Sequence, residues 1–369
     1  MCRTKFIGII WVILIAVAGK AQSPEHHFRL GIAGLTHGHA NLLFRFKTTD
    51  SISIVGIVEP NKTVVQKYQQ RYQLHDSLFF DSLQEMARVA RPEGIAVFSS
   101  TKEHLPYISQ CAGEGIDVMV EKPLCIDYKE AQRISHLVDS AGIKVITNYE
   151  TTWHPALDSC VSKLGKQGIG ELRKVVFHHG NNGTRHTKAP AEFVEWLTDS
   201  IQNGGGAIMD FGCYGLNIIT EITQGQWPNS IYAEAANYKP EDYPQVDDDA
   251  LIVLNYDGFK CLIQASWNWA VPRKDMELYG SCGKAMAVDV TSYNYQVSSR
   301  SQLQTVELTP KRYPVDEPLM YFKRIVRGEE KLQTYDRASL ENNMMVMKLL
   351  DLARESSSRK CQIRIKNEN

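Results

Sequence analysis

Ile116-Asp117-Val118-Met119-Val120-Glu121-Lys122-Pro123 is an apolar run that stops on a carboxylate, an ammonium and a proline. A short branched run of this kind suits a buried strand, and the proline bars the ladder from continuing. A lysine held at such a strand end reaches into a ligand crevice and can act on a hydroxyl being oxidised. The stretch lies about 60 residues beyond Glu59, which closes an earlier apolar run; that spacing points to a dinucleotide-dependent oxidoreductase.

Working outward, Leu30 to Ala33, Ile52 to Val58, Gly94 to Phe98, Val118 to Val120 and Lys144 to Thr147 read as strands. Between them, Ala40 to Lys47, Lys62 to Tyr72, Ser82 to Ala90, Leu105 to Glu114 and Tyr128 to Ala141 carry helical periodicity. Alternating strands and helices predict a doubly wound parallel sheet, whose ligands collect at the carboxyl ends of the strands. Gly34, Glu59, Ser100, Thr101, His104, Glu121, Lys122 and Asn148 all follow or close those runs, so one crevice is expected to gather them around a dinucleotide.

The first turn, Gly34-Leu35-Thr36-His37-Gly38-His39, departs from G-x-G-x-x-G by placing Thr36 and His39 at the later glycine positions. Its physical task can still be met: Gly34 permits the tight turn, Gly38 permits close backbone approach, and the next helix offers free N–H groups to a pyrophosphate. His37 and His39 read as loop histidines near phosphate. No metal is expected, since neither a carboxylate nor a thiolate is near them in sequence. Glu59 is placed to accept from an adenosine ribose and to repel a 2'-phosphate, which favours NAD; the nearby Lys62 leaves NADP open.

Lys plus Arg (41) nearly balance Asp plus Glu (42) in 369 residues, a net charge of -1 that carries no nucleic-acid footprint. The length calls for two domains and fits a small-molecule partner. Arg3 and Lys5 precede an apolar stretch from Phe6 to Ala18, then Gly19-Lys20-Ala21 and a polar segment. Residues 1–21 read as a secretory signal and predict a periplasmic or otherwise exported protein with no stable transmembrane span after cleavage; an uncleaved anchor is the alternative. Seven scattered cysteines would remain, without paired spacing, and read as buried thiols. Asp247-Asp248-Asp249 reads as a solvated approach to a strand rather than a calcium loop.

The chain resembles the glucose-fructose oxidoreductase, inositol dehydrogenase and rhizopine catabolism protein family, Gfo/Idh/MocA. The resemblance rests on Glu121-Lys122-Pro123-Leu124, on the segment Gly204-Gly205-Gly206-Ala207-Ile208-Met209-Asp210-Phe211-Gly212-Cys213-Tyr214, and on Glu341-Asn342-Asn343 opening a late helix. It implies an α/β plus α+β fold. A Rossmann domain (28–148) would precede an α+β domain with an open, mainly antiparallel sheet (149–330), and a C-terminal helix and tail (331–369) would return to the first domain. Strand patterns at Lys174 to His178, Ile231 to Ala235, Ala250 to Asn255, Lys260 to Trp267 and Met276 to Tyr279 agree, with hairpin chemistry at Asp257-Gly258. The open sheet would serve homo-oligomerisation.

The resemblance also implies that Lys122, Asp210 and Tyr214 lie beside a nicotinamide. Tyr214 stands where many members carry histidine, as on the glucose-fructose oxidoreductase side of the family. Tyr214 would take a hydroxyl proton while Lys122 lowers its pKa; Asp210 would hold a sugar hydroxyl or steer Lys122, or cap a helix. Tyr149, Trp153 and His154, just past the last Rossmann strand, and Arg185 beyond them, are substrate candidates for a sugar or glycoside. His178 and His179 read as part of a basic strand-to-loop region, and Trp267 as core or interface. Because free NAD is scarce outside the cytoplasm, export calls for a tightly bound cofactor. Three readings stand: a sugar or glycoside oxidoreductase, a redox-cycling glycoside hydrolase or lyase of the same fold, and a non-catalytic sugar-binding subunit.

Overall fold

The computed structural model describes residues 27–45, 51–310 and 316–365. The predicted signal, residues 1–21, lies outside them. Among the described residues no helix is long and apolar enough to cross a membrane.

The first domain is a six-stranded parallel sheet of β1 (Phe28–Ala33), β2 (Ile52–Val58), β3 (Phe79–Phe80), β4 (Gly94–Val97), β5 (Asp117–Glu121) and β6 (Val145–Asn148), in the order β3-β2-β1-β4-β5-β6. Its connecting helices are α1 (Ala40–Arg45), α2 (Lys62–Tyr72), α3 (Leu83–Ala90), α4 (His104–Glu114) and α5 (Tyr128–Ala141). Strands covered on both faces are apolar throughout, as every buried position of β4 illustrates. Asn61, Ser82 and Asp127 cap α2, α3 and α5 by accepting first-turn N–H groups, each worth about 1 kcal/mol.

The second domain is a nine-stranded sheet of β7 (Leu172–Gly180), β8 (Ser230–Ala236), β9 (Asp249–Tyr256), β10 (Phe259–Ser266), β11 (Arg273–Gly280), β12 (Lys284–Ala287), β13 (Ser292–Gln296), β14 (Gln304–Glu307) and β15 (Ile363–Arg364). Its order is β14-β13-β12-β11-β7-β10-β9-β8-β15, antiparallel except for β7 beside β10. The Asp257-Gly258 turn joins β9 to β10 in register, as its sequence predicts. The helices are α6 (Pro155–Val161), α7 (Ala191–Leu197), α8 (Ser200–Asn203), α9 (Ala207–Asp210), α10 (Gly212–Ile222), α11 (Asp316–Val326) and α12 (Leu340–Arg359).

Alternation along these strands sends Val175, Phe177, Ile252, Leu254, Cys261, Ile263, Met276 and Leu278 into the core, where α10 and α12 also bury side chains. The opposite face, with Val253, Leu262 and Tyr279, remains half-exposed. Of the seven cysteines among the described residues, five are buried, Cys282 and Cys361 are exposed, and all seven are free thiols.

Helix α12 contacts β8 and α10 as well as α5 of the first domain, and Asp351 accepts the Tyr128 N–H across that junction (3.0 Å). Helix α11 corrects the expected boundary at 330. It packs on the first domain, with Phe322 edge-on to Phe28 at 5.9 Å, Arg327 paired with Glu93, and Lys144 donating to the Ile325 carbonyl. The physical reason is amphipathicity: Leu319, Phe322 and Ile325 form one buried face, and the open end of the first sheet offers the apolar surface that covers it. Phe322→Ala should destabilise the protein by about 3–4 kcal/mol in denaturant unfolding, because it empties this seam.

Candidate active site

Backbone geometry shapes the loop after β1. Gly34 has φ +77°, and a Cβ there would lie 2.8 Å from the Ser99 side chain, so the turn demands glycine. The Gly34 N–H donates to Val58 and that of His37 to Phe98, which ties the loop to the ends of β2 and β4. Gly38 meets only ordinary contact, 3.7 Å from Phe193, so close approach does not require glycine there. His37 is buried beside Phe193 and Trp196, and burial drives its pKa well below the usual value. The Thr36 hydroxyl is buried without a hydrogen-bond partner among the described residues.

Glu59 departs from the simple ribose-acceptor expectation. Its two oxygens accept the Leu35 and Asn61 N–H groups at 2.7 and 2.8 Å, so the carboxylate first shapes the loop, and burial raises its pKa. Each oxygen keeps a second lone pair for a ligand. Ser100, Thr101 and His104 are turned elsewhere. Ser100 bonds Glu103 and Gln202, Thr101 donates to Asn203, and His104 uses Nδ1 on the Leu124 carbonyl. These contacts stitch the first domain to α8 and fix the Pro123–Leu124 bend, which local sequence could not show.

At the end of β5, Glu121 Oε1 receives the His39 ring N–H (3.1 Å) and the Asn148 amide (2.9 Å), while Trp153 donates to Asn148 Oδ1 (3.1 Å). Burial opposes its ionisation, but His39, His37 and these hydrogen bonds outweigh that and hold its carboxyl at about 2. Donor atoms of His37, His39 and Glu121 lie within 4.8 Å of one another, so the fold supplies the carboxylate that sequence spacing had not placed beside the histidines. Direct hydrogen bonds between His39 and each neighbour account for that closeness.

Lys122 crosses from the first domain to the second. Its ammonium donates to the Asp210 carboxylate at 2.5 Å and to the Asp210 carbonyl at 3.0 Å; Trp267 Nε1 donates to the other carboxylate oxygen at 2.9 Å. Burial works against the charge on Lys122, but Asp210 prevails and raises its pKa. The same ammonium sits 4.9 Å from the Tyr214 ring centroid, over its face. Asp210 is the last residue of α9 and not its cap. Capping falls to Asp247, whose oxygens accept the Gly206 and Ile208 N–H groups. Asp248 is fully buried and accepts the Tyr238 and Lys239 N–H groups, so this acidic run is an internal staple, contrary to the solvated reading.

The substrate candidates separate. Tyr149 is core, edge-on to Tyr214 at 5.6 Å, and Trp153 packs on Tyr321. Arg185 is exposed over a shallow hollow and reaches Thr198. His154 lines a cavity of about 720 Å³ together with Glu150, Asn181, Asn182, Thr187 and Lys274. Three residues at or behind this wall carried no motif. Lys274 pairs with Glu150 and lies 5.0 Å from the Tyr214 ring centroid. His179, on the inner face of β7, is fully buried 5.4 Å from Tyr214, with neither ring nitrogen hydrogen-bonded among the described residues. Strand alternation was the available signal, since β7 and β11 place His179 and Lys274 opposite each other on the core face.

Family comparison matches the NAD-binding Rossmann fold of the oxidoreductase family at residues 28–149 and the GFO/IDH/MocA C-terminal domain at 162–286. The chain belongs to the GFO/IDH/MocA family. Among curated members, the trans-1,2-dihydrobenzene-1,2-diol dehydrogenases of Bos taurus and Sus scrofa are 24% and 23% identical over 262 residues, 70% of this chain and 72% of theirs. Solved structures with the same fold include an aldose-aldose oxidoreductase from Caulobacter crescentus complexed with glycerol (TM-score 0.73, 16% identity, 92% of this chain and 100% of that one). An inositol dehydrogenase homolog complexed with NAD+ from Azotobacter vinelandii gives TM-score 0.76 at 13% identity, covering 92% and 98%.

The family's NAD-binding Rossmann domain is thus present, and the residues fit a dinucleotide. Gly34 keeps its turn free of side chain, while the Thr36 hydroxyl and Glu121 Oε2 are buried polar atoms without protein partners among the described residues. Gly34 to His39, Glu59 and Glu121 would hold it.

Asp210→Asn should cost about 3 kcal/mol or more in denaturant unfolding, because it leaves the Lys122 ammonium buried beside a neutral amide. Glu121 has a depressed folded pKa, so its contribution is present above the usual carboxylate range and is lost as pH falls toward about 2. Glu121→Gln should therefore lower stability at about pH 6, and the gap from the unmodified protein should narrow at about pH 3 in urea melts.

Proposed function

We propose that this chain is an exported oxidoreductase that oxidises or reduces a carbinol carbon of a sugar, glycoside or related polyol, with NAD retained in the first domain. The observation that carries the reading is the arrangement around Lys122, Asp210 and Tyr214. A buried ammonium held by a carboxylate stands beside a phenol at the carboxyl edge of an NAD-binding sheet, next to a cavity edged by amides, a hydroxyl and an imidazole. Such edges suit a ligand with several hydroxyls.

When bound, the nicotinamide supplies a two-electron acceptor for the carbinol carbon. The protein's part is electrostatic and positional. Lys122, kept cationic by Asp210, favours negative charge on the substrate oxygen as its proton leaves, and Tyr214 is the hydroxyl group beside it that can pass that proton on. Trp267 keeps Asp210 aimed at Lys122. Names of relatives lend support to the substrate class: a dihydrobenzenediol dehydrogenase, an aldose-aldose oxidoreductase and an inositol dehydrogenase homolog are all named for compounds with more than one hydroxyl. Export rests on residues 1–21, and association through the open sheet rests on its half-exposed face with Leu251, Val253, Leu262 and Tyr279.

Mass spectrometry of small molecules released by denaturing the purified mature protein should detect a stoichiometric nicotinamide dinucleotide. The folded protein should gain absorbance in the reduced-nicotinamide band when polyols or glycosides are added. Absence of nucleotide, together with no binding of added NAD or NADP, would defeat the proposal.

A further inference from the structure

We propose that the substrate is a glycoside with an apolar aryl or alkyl aglycone, and that Pro272, Met286, Val288 and Val290 form the subsite that receives this aglycone. The inference rests on the oxidoreductase reading and adds to it the class of glycoside.

The cavity of about 720 Å³ beside Lys274 has walls of two kinds. His154, Asn181, Asn182 and Thr187 come from the segments that follow β6 and β7 and offer groups that bind hydroxyls. Among the described residues neither the Asn181 nor the Asn182 amide N–H group donates within the protein: the Asn181 oxygen accepts the Gly183 N–H at 2.7 Å, and the Asn182 oxygen accepts from Lys239 Nζ at 3.5 Å. The other stretch of wall is apolar. Met286 and Ala287 end β12, Val288 and Val290 lie in the turn to β13, and Pro272 precedes β11. Cavities of roughly 300–1,000 Å³ enclose most of a drug-sized ligand, so this one takes more than a single sugar ring.

The valine turn is unlike ordinary surface. Gly, Asn, Asp and Ser usually stand in turns, yet Val288 and Val290 do so here at 50% and 39% exposure, and Val271, next to Pro272, is 73% exposed. Single exposed apolar side chains need no explanation, whereas several on the wall of a ligand cavity mark a binding groove. The turn is also fixed. Asp289 accepts the Thr291 and Ser292 N–H groups at 2.8 Å each, and the Val288 N–H donates to the Ser292 carbonyl at 2.8 Å. The Val290 carbonyl accepts the Ala156 N–H at 3.2 Å, which fastens the valine turn to the first turn of α6, the helix that His154 precedes. Polar and apolar walls are thereby held at a set spacing, as a subsite requires.

The carboxylates that share the cavity call for no cation. Arg273 donates to both oxygens of Asp275 at 2.6 and 2.8 Å, with His178 2.9 Å away; Glu277 accepts the Tyr279 hydroxyl at 2.6 Å, and Glu150 pairs with Lys274. Asp289 is spent on its own turn. With these charges satisfied inside the protein, what this wall offers a ligand is apolar surface, and an aryl or alkyl group laid on it removes that surface from water. A free monosaccharide would leave the valines wet, and the second ring of a disaccharide would set hydroxyls against them without partners.

The test offers the full mature protein, with the nucleotide it carries, matched phenyl and methyl glycosides of glucose, galactose and mannose, and follows reduction of the nicotinamide by absorbance. For the sugar that is oxidised, kcat/KM of the phenyl glycoside should exceed that of the methyl glycoside about 10-fold or more, the discrimination an apolar pocket supplies. Val288→Ser combined with Val290→Ser should abolish that preference and leave the methyl glycoside's kcat/KM unchanged, because both side chains are exposed and neither belongs to the catalytic group. Equal values for the phenyl and methyl glycosides, a preference for the free sugar or for maltose or cellobiose, or a phenyl preference that survives in the double variant would each overturn the proposal. A changed oligomeric state in that variant with the preference kept would assign the valines to a subunit contact and likewise overturn it. A protein that neither holds nor binds a dinucleotide refutes the oxidoreductase reading instead. Calorimetric binding of the same glycoside pairs then decides the subsite by itself: tighter phenyl binding that the double variant loses supports it, and no difference within the pairs, or no binding of any, overturns it.

Discussion

A buried ammonium must have a counter-charge, and in this protein that requirement joins the two domains. Lys122 closes the first domain's β5 edge, Asp210 ends a short helix of the second, and Trp267 follows β10 of the wide sheet. Burying Lys122 and Asp210 costs several kcal/mol per ion, so the pair is weak evidence of stability. Its consequence is geometric. Three chain segments far apart in sequence are held at one point, with the Tyr214 ring over the ammonium and the cavity edge beyond it.

That junction depends on how the chain reaches it. Gly204-Gly205-Gly206 runs against the Asp247 loop so closely that a Cβ on Gly206 would lie 1.7 Å from the Asp247 carbonyl oxygen. Only glycine passes there, and Asp247 then accepts the N–H groups that open α9 and aim Asp210 inward. Burial pushes the Asp247 carboxyl up to about 6 despite those bonds. The glycine run and the acidic run, which look unrelated in sequence, are two halves of one device.

Much of the scaffold was legible because hydrophobic periodicity is a local property. The five expected strands of the first domain and the hairpin at Asp257-Gly258 follow from runs of a few residues. Strands β12 to β14 were less legible, since their faces are only half-buried and carry weak alternation. Helix α11 carried a clear apolar face, but nothing local said which domain would cover it. Side-chain roles were the least legible. Ser100, Thr101 and His104 follow β4 just where a ligand would be met, yet their partners lie on α8 and at Leu124. Tyr149 and Trp153 look like cleft aromatics and turned out to be core, because Tyr214 packs on the one and Tyr321 of α11 on the other.

Sequence alone determined the parallel sheet, the glycine turn at Gly34, the strand-end lysine and the family resemblance through Glu121-Lys122-Pro123 and Asp210 to Tyr214. Each is carried by residues whose spacing is short or whose backbone demands are strict. Tertiary structure alone decided that Glu59 shapes its own loop, that Glu121 meets His39, and that Lys274, paired with Glu150, and His179 gather around Tyr214. The physical reason is that charge pairing and desolvation depend on distances in space. Strand register and domain docking set those distances, and neither is written in any local stretch of the chain.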